Sequence, residues 1–211
     1  KLLIGLVLGA AAAGTGVYLY QRSHNAPVSG PTNTAGSTLS MASQGKKDVG
    51  AALRNVAMTG AVLVVKSGES IQAAVVKAKP GDTIKVMPGV YKETVFIDKD
   101  NIALVGVIVD GEWPLMDGER KLNDAILYSG SGIRIENMKI THYKGNGIMG
   151  QAGNNFVIRY NWIVDTGVYG IFPEFGKNGL IEYNVVSGIE DAAIYVGMCD
   201  NIQVSNNEVF A

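Results

Sequence analysis

The sequence predicts an all-β chain wound as a single-stranded right-handed parallel β-helix of about 23 residues per coil, with an N-terminal capping helix. Three observations predict it. Ile135, Ile158, Ile181 and Val204 stand 23 residues apart, three times running. Other columns keep that period: Ile140, Ile163, Val186 and Val209; Gly147, Gly170 and Ala193; Ile148, Ile171 and Ile194; and Asn161, Asn184 and Asn207, with Met138 in the first copy. Each copy also holds three short apolar runs, at 156–158, 162–164 and 170–172 for example, parted by the Gly, Asn and Asp that mark turns between strands. Helical repeats usually run to about 33 residues or more. Leucine-rich repeats need leucines that this stretch lacks.

The physics of stacking supports the choice. Successive coils set equivalent positions about 4.8 Å apart, the spacing between hydrogen-bonded strands. The Ile and Val columns then become aliphatic stacks inside the coil. The column Asn161, Asn184, Asn207 becomes a structural ladder of amides, bonding one another and the turn backbone.

Upstream the coils are less regular. Residues 83–87, 94–98 and 101–109 read as strands, and Pro88-Gly89 marks the turn between the first two. Leu104 is an earlier copy of the anchor, with Ile102 two before it and Val109 five after. From Leu104 to Ile135 is 31 residues, eight over the period. The excess is placed in a polar loop at 111–124, before a strand at 125–128. Residues 69–78 read as a helix with Ser67 as N-cap and Ile71, Ala74, Val75 and Ala78 as its apolar face. A solenoid must cover its open end, and this helix is placed to do so. A shorter helix is read at 49–58. The fourth regular copy stops at Phe210 and Ala211 before its remaining strand, so the domain at 49–211 is expected to be incomplete at its C-terminal end or closed by a subunit contact.

Composition bounds the function. A formal charge of −1 sets aside a basic nucleic-acid-binding protein. One cysteine allows neither an internal disulfide framework nor a multi-cysteine metal site. No phosphate loop, serine elbow or dinucleotide fingerprint is present. Residues 2–20 carry no charge and are flanked by Lys1 and Arg22, so residues 1–22 form either a secretory signal peptide or a membrane anchor. Residues 23–48 are rich in Ser, Thr, Gly, Asn, Ala and Pro and read as a flexible linker. Either reading puts the remainder outside the cytoplasm: periplasmic, secreted or anchored, with the membrane met only through the N-terminal segment.

Residues 84–91 and 106–111 resemble the opening coils of pectin-lyase-like right-handed β-helix proteins. The runs Val-Tyr-Gly-Ile-Phe-Pro at 168–173 and Asp-Ala-Ala-Ile-Tyr-Val-Gly-Met-Cys at 191–199 resemble a subfamily of exported bacterial envelope proteins built from parallel β-helix repeats. The resemblance spans residues 62–211. It departs at Ala193, where members have Gly, and at Met198, where they have Gln. That subfamily has no assigned activity. Its wider relatives include pectate lyases, polygalacturonases, alginate epimerases and non-catalytic proteins, so the resemblance implies a fold rather than a reaction.

The strongest polar cluster lies between the second and third apolar runs. The first copy supplies Thr141, His142, Tyr143 and Lys144, the second Asp165 and Tyr169, the third Glu190 and Asp191. His142 and Asp165 both fall seven residues after their anchors, which makes them vertical neighbours. The inserted segment, with Asp110, Glu112, Asp117, Glu119, Arg120, Lys121 and Asp124, is expected to overhang this face. A His beside an Asp suits a general base, with Tyr143 or Tyr169 as the matching acid. That equipment abstracts the proton next to a uronate carboxyl, as lyases and epimerases do. Arg120, Lys121 and Lys144 neutralise the carboxylate, and Glu190 and Asp191 add substrate contacts. The same residues also read as a turn-stabilising hydrogen bond, packing aromatics and solvated carboxylates.

The acids Asp110, Asp117, Asp165, Glu190 and Asp191 admit two-carboxylate hydrolysis, which needs about 5–10 Å between the groups. They also admit a calcium site of roughly six or more oxygens, with ligands unassigned. From Gly60 onward 13 Lys and Arg face 18 Asp and Glu, a balance of −5 that opposes a polyanion unless calcium bridges it. The expectation is an extracytoplasmic protein that binds, and in the stronger form modifies, an acidic polysaccharide. The alternative is a non-catalytic envelope scaffold whose partner is another exported protein.

Overall fold

The computed structural model describes residues 48–211 and, before them, only the backbone of two short strands, Gly5–Leu6 and Leu19–Tyr20, paired antiparallel. Otherwise the segments expected to be an export signal or anchor and a linker lie outside the described residues. Among the described residues no helix is long and apolar enough to cross a membrane.

The period of 23 residues is one turn of the chain, so residues 23 apart pair in adjacent strands. Three parallel sheets climb together. Sheet 1 has seven strands in chain order: Val62–Val65, Thr83–Val86, Ala103–Gly106, Arg134–Glu136, Val157–Arg159, Lys177–Glu182 and Asp200–Ser205. Sheet 2 has six: Gly89–Tyr91, Pro114–Asp117, Lys139–Tyr143, Trp162–Thr166, Val185–Ser187 and Glu208–Phe210. Sheet 3 has five: Val95–Ile97, Ile126–Tyr128, Ile148–Gly150, Tyr169–Pro173 and Ala192–Ile194.

The aliphatic columns build the core. Leu104, Ile135, Ile158 and Ile181 pair in register and are fully buried. Ile140, Ile163 and Val186 stack likewise in sheet 2, as do Ile126, Ile148 and Ile171 in sheet 3. Each contributes about 1.5–3 kcal/mol by leaving water. Val204 and Val209 keep the register but are exposed, contrary to the expectation of a buried fourth layer, because no described coil stacks upon theirs.

At the corner from sheet 1 to sheet 2 the asparagines form a continuous ladder. Asn161 donates its side-chain amide to Ile135 O at 3.0 Å and to Asn184 Oδ1 at 3.0 Å, and Asn184 Oδ1 also accepts the Asn161 backbone N–H. Asn184 repeats the pattern with Ile158 O and Asn207. Asn161 and Asn184 are each 1% exposed, so every donor here replaces water with a fixed partner.

Two helices depart from the repeat. Helix α1 is Val49–Arg54, N-capped by Asp48. It lies on the outer face of sheet 1, where Leu53 and Val49 meet Val157 and Leu180, and Arg54 clasps Glu182 with two guanidinium nitrogens. Helix α2 is Ile71–Lys77 and completes the first coil in place of strands. It starts later than the sequence suggested. Ser70, not Ser67, is the N-cap, its hydroxyl accepting from Ala73 N, while Glu93 of the next coil takes the N–H groups of Ile71 and Gln72. Ile71, Val75 and Ala78 close the core beneath it.

The eight extra residues are not one loop. They divide around Pro114–Asp117, a sheet 2 strand whose Met116 pairs with Ile140 and is fully buried. Val109, expected as a core copy, is 43% exposed in a small hairpin closed by its bridge to Glu112. The alternation of Pro114 and Met116 inward was concealed by the acids around it.

Candidate functional site

The corner from sheet 2 to sheet 3 gathers the charged groups. His142 and Asp165 occupy equivalent positions in successive strands, flanked by the pairs Thr141–Val164 and Tyr143–Thr166. Both have φ 57°, and Gly188 in the next coil has φ 61°. This left-handed residue bends the strand and breaks its alternation. His142 therefore points outward, while Tyr143 turns back into the core at 2% exposure. Because the third member is glycine, the side-chain column ends at Asp165.

His142 has two acidic neighbours. Its Nδ1 lies 3.0 Å from Asp117 Oδ1, and its Nε2 lies 3.6 Å from Asp165 Oδ2. The nearer partner is thus Asp117, not the Asp165 expected from spacing. Asp117 Oδ1 is held in place by the Glu119 N–H at 2.9 Å. A carboxylate only accepts, so Nδ1 carries the proton in the neutral ring and Nε2 is left with the lone pair. Asp165 is occupied by Arg120, whose Nη2 pairs with its Oδ2.

The wall beside this column is the turn after Asp117. Gly118 lets it approach, since a Cβ there would stand 2.6 Å from His142 O. Glu119 and Arg120 are both left-handed, with φ 51° and 55°. They swing Arg120 over the corner and send Lys121 away to Glu119, which also pairs with Lys92. Lys121 is therefore not brought to the site. Arg120, Lys144, Asp165, Gly167 and Glu190, with Tyr143 beneath, line a cleft of about 140 Å³.

Other expected members lie elsewhere. The Tyr143 hydroxyl donates to Glu93 O at 2.7 Å, and burial, reinforced by the Asp117 charge, pushes its ionisation upward. It is a buried residue beneath the cleft, with its hydroxyl turned to the Glu93 carbonyl. Tyr169 lies in sheet 3, its ring against Phe172 and Tyr195. Asp191 is exposed and does not line the cleft. Asp110 and Glu112 belong to the hairpin on the far side of Pro114–Asp117. Among the described residues no cluster of three His, Cys, Asp or Glu is set to hold a metal, so the calcium expectation has no such donor set behind it. Cys199 donates to Pro173 O and accepts from Gly176 N, and burial raises its thiol ionisation.

The site is thus an outward His between two acids of neighbouring coils, beside two cations, on a parallel solenoid. No curated protein matches the chain. Residues 81–209, more than half of the sequence, match the model of the right handed beta helix region. That span opens with the strand at 83–86 and closes in the last described coil, so match and coils describe one object, and the chain belongs to the right-handed β-helix family.

Proposed function

We propose that the chain binds an acidic polysaccharide against the outer face of sheet 2 and acts on it at His142, as a lyase or epimerase of uronate residues outside the cytoplasm. The observation that carries this reading is the imidazole held at Nδ1 by Asp117, with Nε2 facing Asp165, which lines a cleft together with Arg120 and Lys144. Nε2 takes the proton from the carbon bearing the carboxylate. The electron pair left by the broken C–H bond spreads into that carboxylate, whose charge Arg120 and Lys144 offset. In elimination the bond to the β-oxygen breaks, a C=C bond forms, and the imidazolium returns its proton to the leaving oxygen. In epimerisation solvent delivers a proton to the opposite face of the carbon.

Arg120 is already paired with Asp165, so a substrate carboxylate enters by exchanging with it. A domain balance of −5 makes that exchange dependent on the local cations, and calcium in solution assists by screening. The test is turnover on alginate and pectate panels with and without calcium. Unsaturated products are read by ultraviolet absorbance, and exchange at the sugar carbon by deuterium incorporation. His142→Ala is expected to remove both signals while leaving the fold unchanged. Silence of the unaltered protein across the panels would sink the catalytic reading and leave the non-catalytic scaffold.

A further inference from the structure

The outer face of sheet 2 carries a second group of side chains that the chemistry at His142 does not use. Trp162 begins the strand that ends with Asp165 and Thr166, and it is 36% exposed. Trp113, from the hairpin before Pro114, meets it edge to face at 6.1 Å between ring centroids. The coil between them supplies Lys139, the register partner of Trp162, whose Nζ lies 3.9 Å from the centre of the Trp162 ring. Three successive coils thus bring together two indoles in edge-to-face contact and one ammonium over the Trp162 ring.

We infer that Trp113, Lys139 and Trp162 form a sugar-binding subsite for an acidic pyranose, on the same face as the cleft at His142. This rests on the polysaccharide reading above and extends it to a second contact point. An indole offers a flat apolar surface to the C–H face of a sugar ring, and Lys139 offers its charge to the ring's carboxylate. The placement fits a single chain crossing the face. From Trp162 to Asp165 is three strand residues, about 10 Å at roughly 3.3 Å each, the reach of a disaccharide. Only Val164 projects outward between them, and Thr141 stands beside it in the neighbouring coil, so nothing bulky interrupts the path. Trp162 is exposed and Trp113 half-buried, and these are the two tryptophans of the chain.

That count makes the test direct, because all tryptophan emission reports on this group. The chain is titrated with short oligogalacturonate, oligomannuronate and a neutral glucan, following emission and, separately, heat of binding. The expected result is a saturable emission change with the acidic oligomers only. Lys139→Met, which keeps the aliphatic stem, weakens acidic binding about tenfold, the scale of one partly desolvated charge contact. Trp162→Ala removes most of the emission response and weakens binding similarly. Both variants keep the wild-type melting transition, and Lys139→Met carries the test if Trp162→Ala does not fold. Heat of binding without an emission change, and insensitive to Lys139→Met, overturns the subsite while leaving the polysaccharide reading standing. Equal response to the neutral glucan overturns the acidic class. Neither heat nor emission change with any oligomer overturns the subsite and the polysaccharide reading together.

Discussion

Two columns climb this solenoid one coil at a time, and they obey opposite rules. Asn161, Asn184 and Asn207 repeat one residue at the corner between sheets 1 and 2, buried, each bonded to the next. His142, Asp165 and Gly188 change residue at every step at the corner between sheets 2 and 3, where the side chains are partly exposed and Asp117 reaches His142 from one position off the column. In the first column each amide donates upward and accepts from below, so a residue with both functions is required at every level. In the second, the backbone hydrogen bonds are already made by the flanking strand pairs. The outward side chain is free of structural duty there, and its chemistry differs from coil to coil. Repetition marks the support of the solenoid, and departure from repetition marks the site proposed above to meet a ligand.

The largest effect expected from this contrast is on stability. Asn184→Ala removes an acceptor from the Asn161 N–H groups, a donor from Ile158 O and the link to Asn207. With Asn161 buried below it, the loss is expected to be about 1–3 kcal/mol, read as a lower midpoint in denaturant unfolding with unchanged slope. An unchanged midpoint would mean that the ladder is hydrated in solution, and the contrast between the columns would disappear.

Asn207→Ala sharpens the same point with a smaller effect. Asn207 accepts from Asn184 and donates to Ile181 O, but it is only half-buried in the last described coil. Water can replace part of what is lost, so the cost is expected near about 0.5–1.5 kcal/mol. A loss equal to that at Asn184 would show that position along the ladder does not matter.

Much of this arrangement was legible in the sequence, because a fixed period converts directly into register. The pairing of Ile135 with Ile158 and Ile181, and of His142 with Asp165, follows from counting by 23. What escaped lies where the period fails. Asp117 sits 25 residues before His142, on a strand hidden among acids and glycines, so arithmetic did not connect it with the imidazole. Tyr143 lies inward because the left-handed residue at 142 reverses which side of the strand comes next, a bend that counting by 23 does not reveal although His adopts that conformation more readily than most residues. The seat of α1 on sheet 1 depends on the Arg54–Glu182 contact across 128 residues, which no local pattern signals.

The smallest effect on stability, and the most informative about the second column, is expected at Asp117. Its carboxylate is the nearer partner of His142, at 3.0 Å from Nδ1 against 3.6 Å between Nε2 and Asp165. Asp165 is further engaged by Arg120, which leaves it the poorer acceptor for an imidazole proton. The neutral ring should therefore hold its proton on Nδ1, contrary to the preference of an unconstrained histidine for Nε2. Nitrogen-15 spectra read this directly, and His24 is the only other histidine to assign. Asp117→Ala is expected to move the proton to Nε2 while stability changes by no more than about 0.5 kcal/mol, since the side chain is on the outer face of its strand. Asp165→Asn is expected to leave the tautomer as it was. If Asp165→Asn moved the proton and Asp117→Ala did not, Nδ1 rather than Nε2 would be the free atom. The base would then face the inserted turn instead of the cleft, and Arg120 and Lys144 would be on the wrong side of the ring to meet a substrate carboxylate.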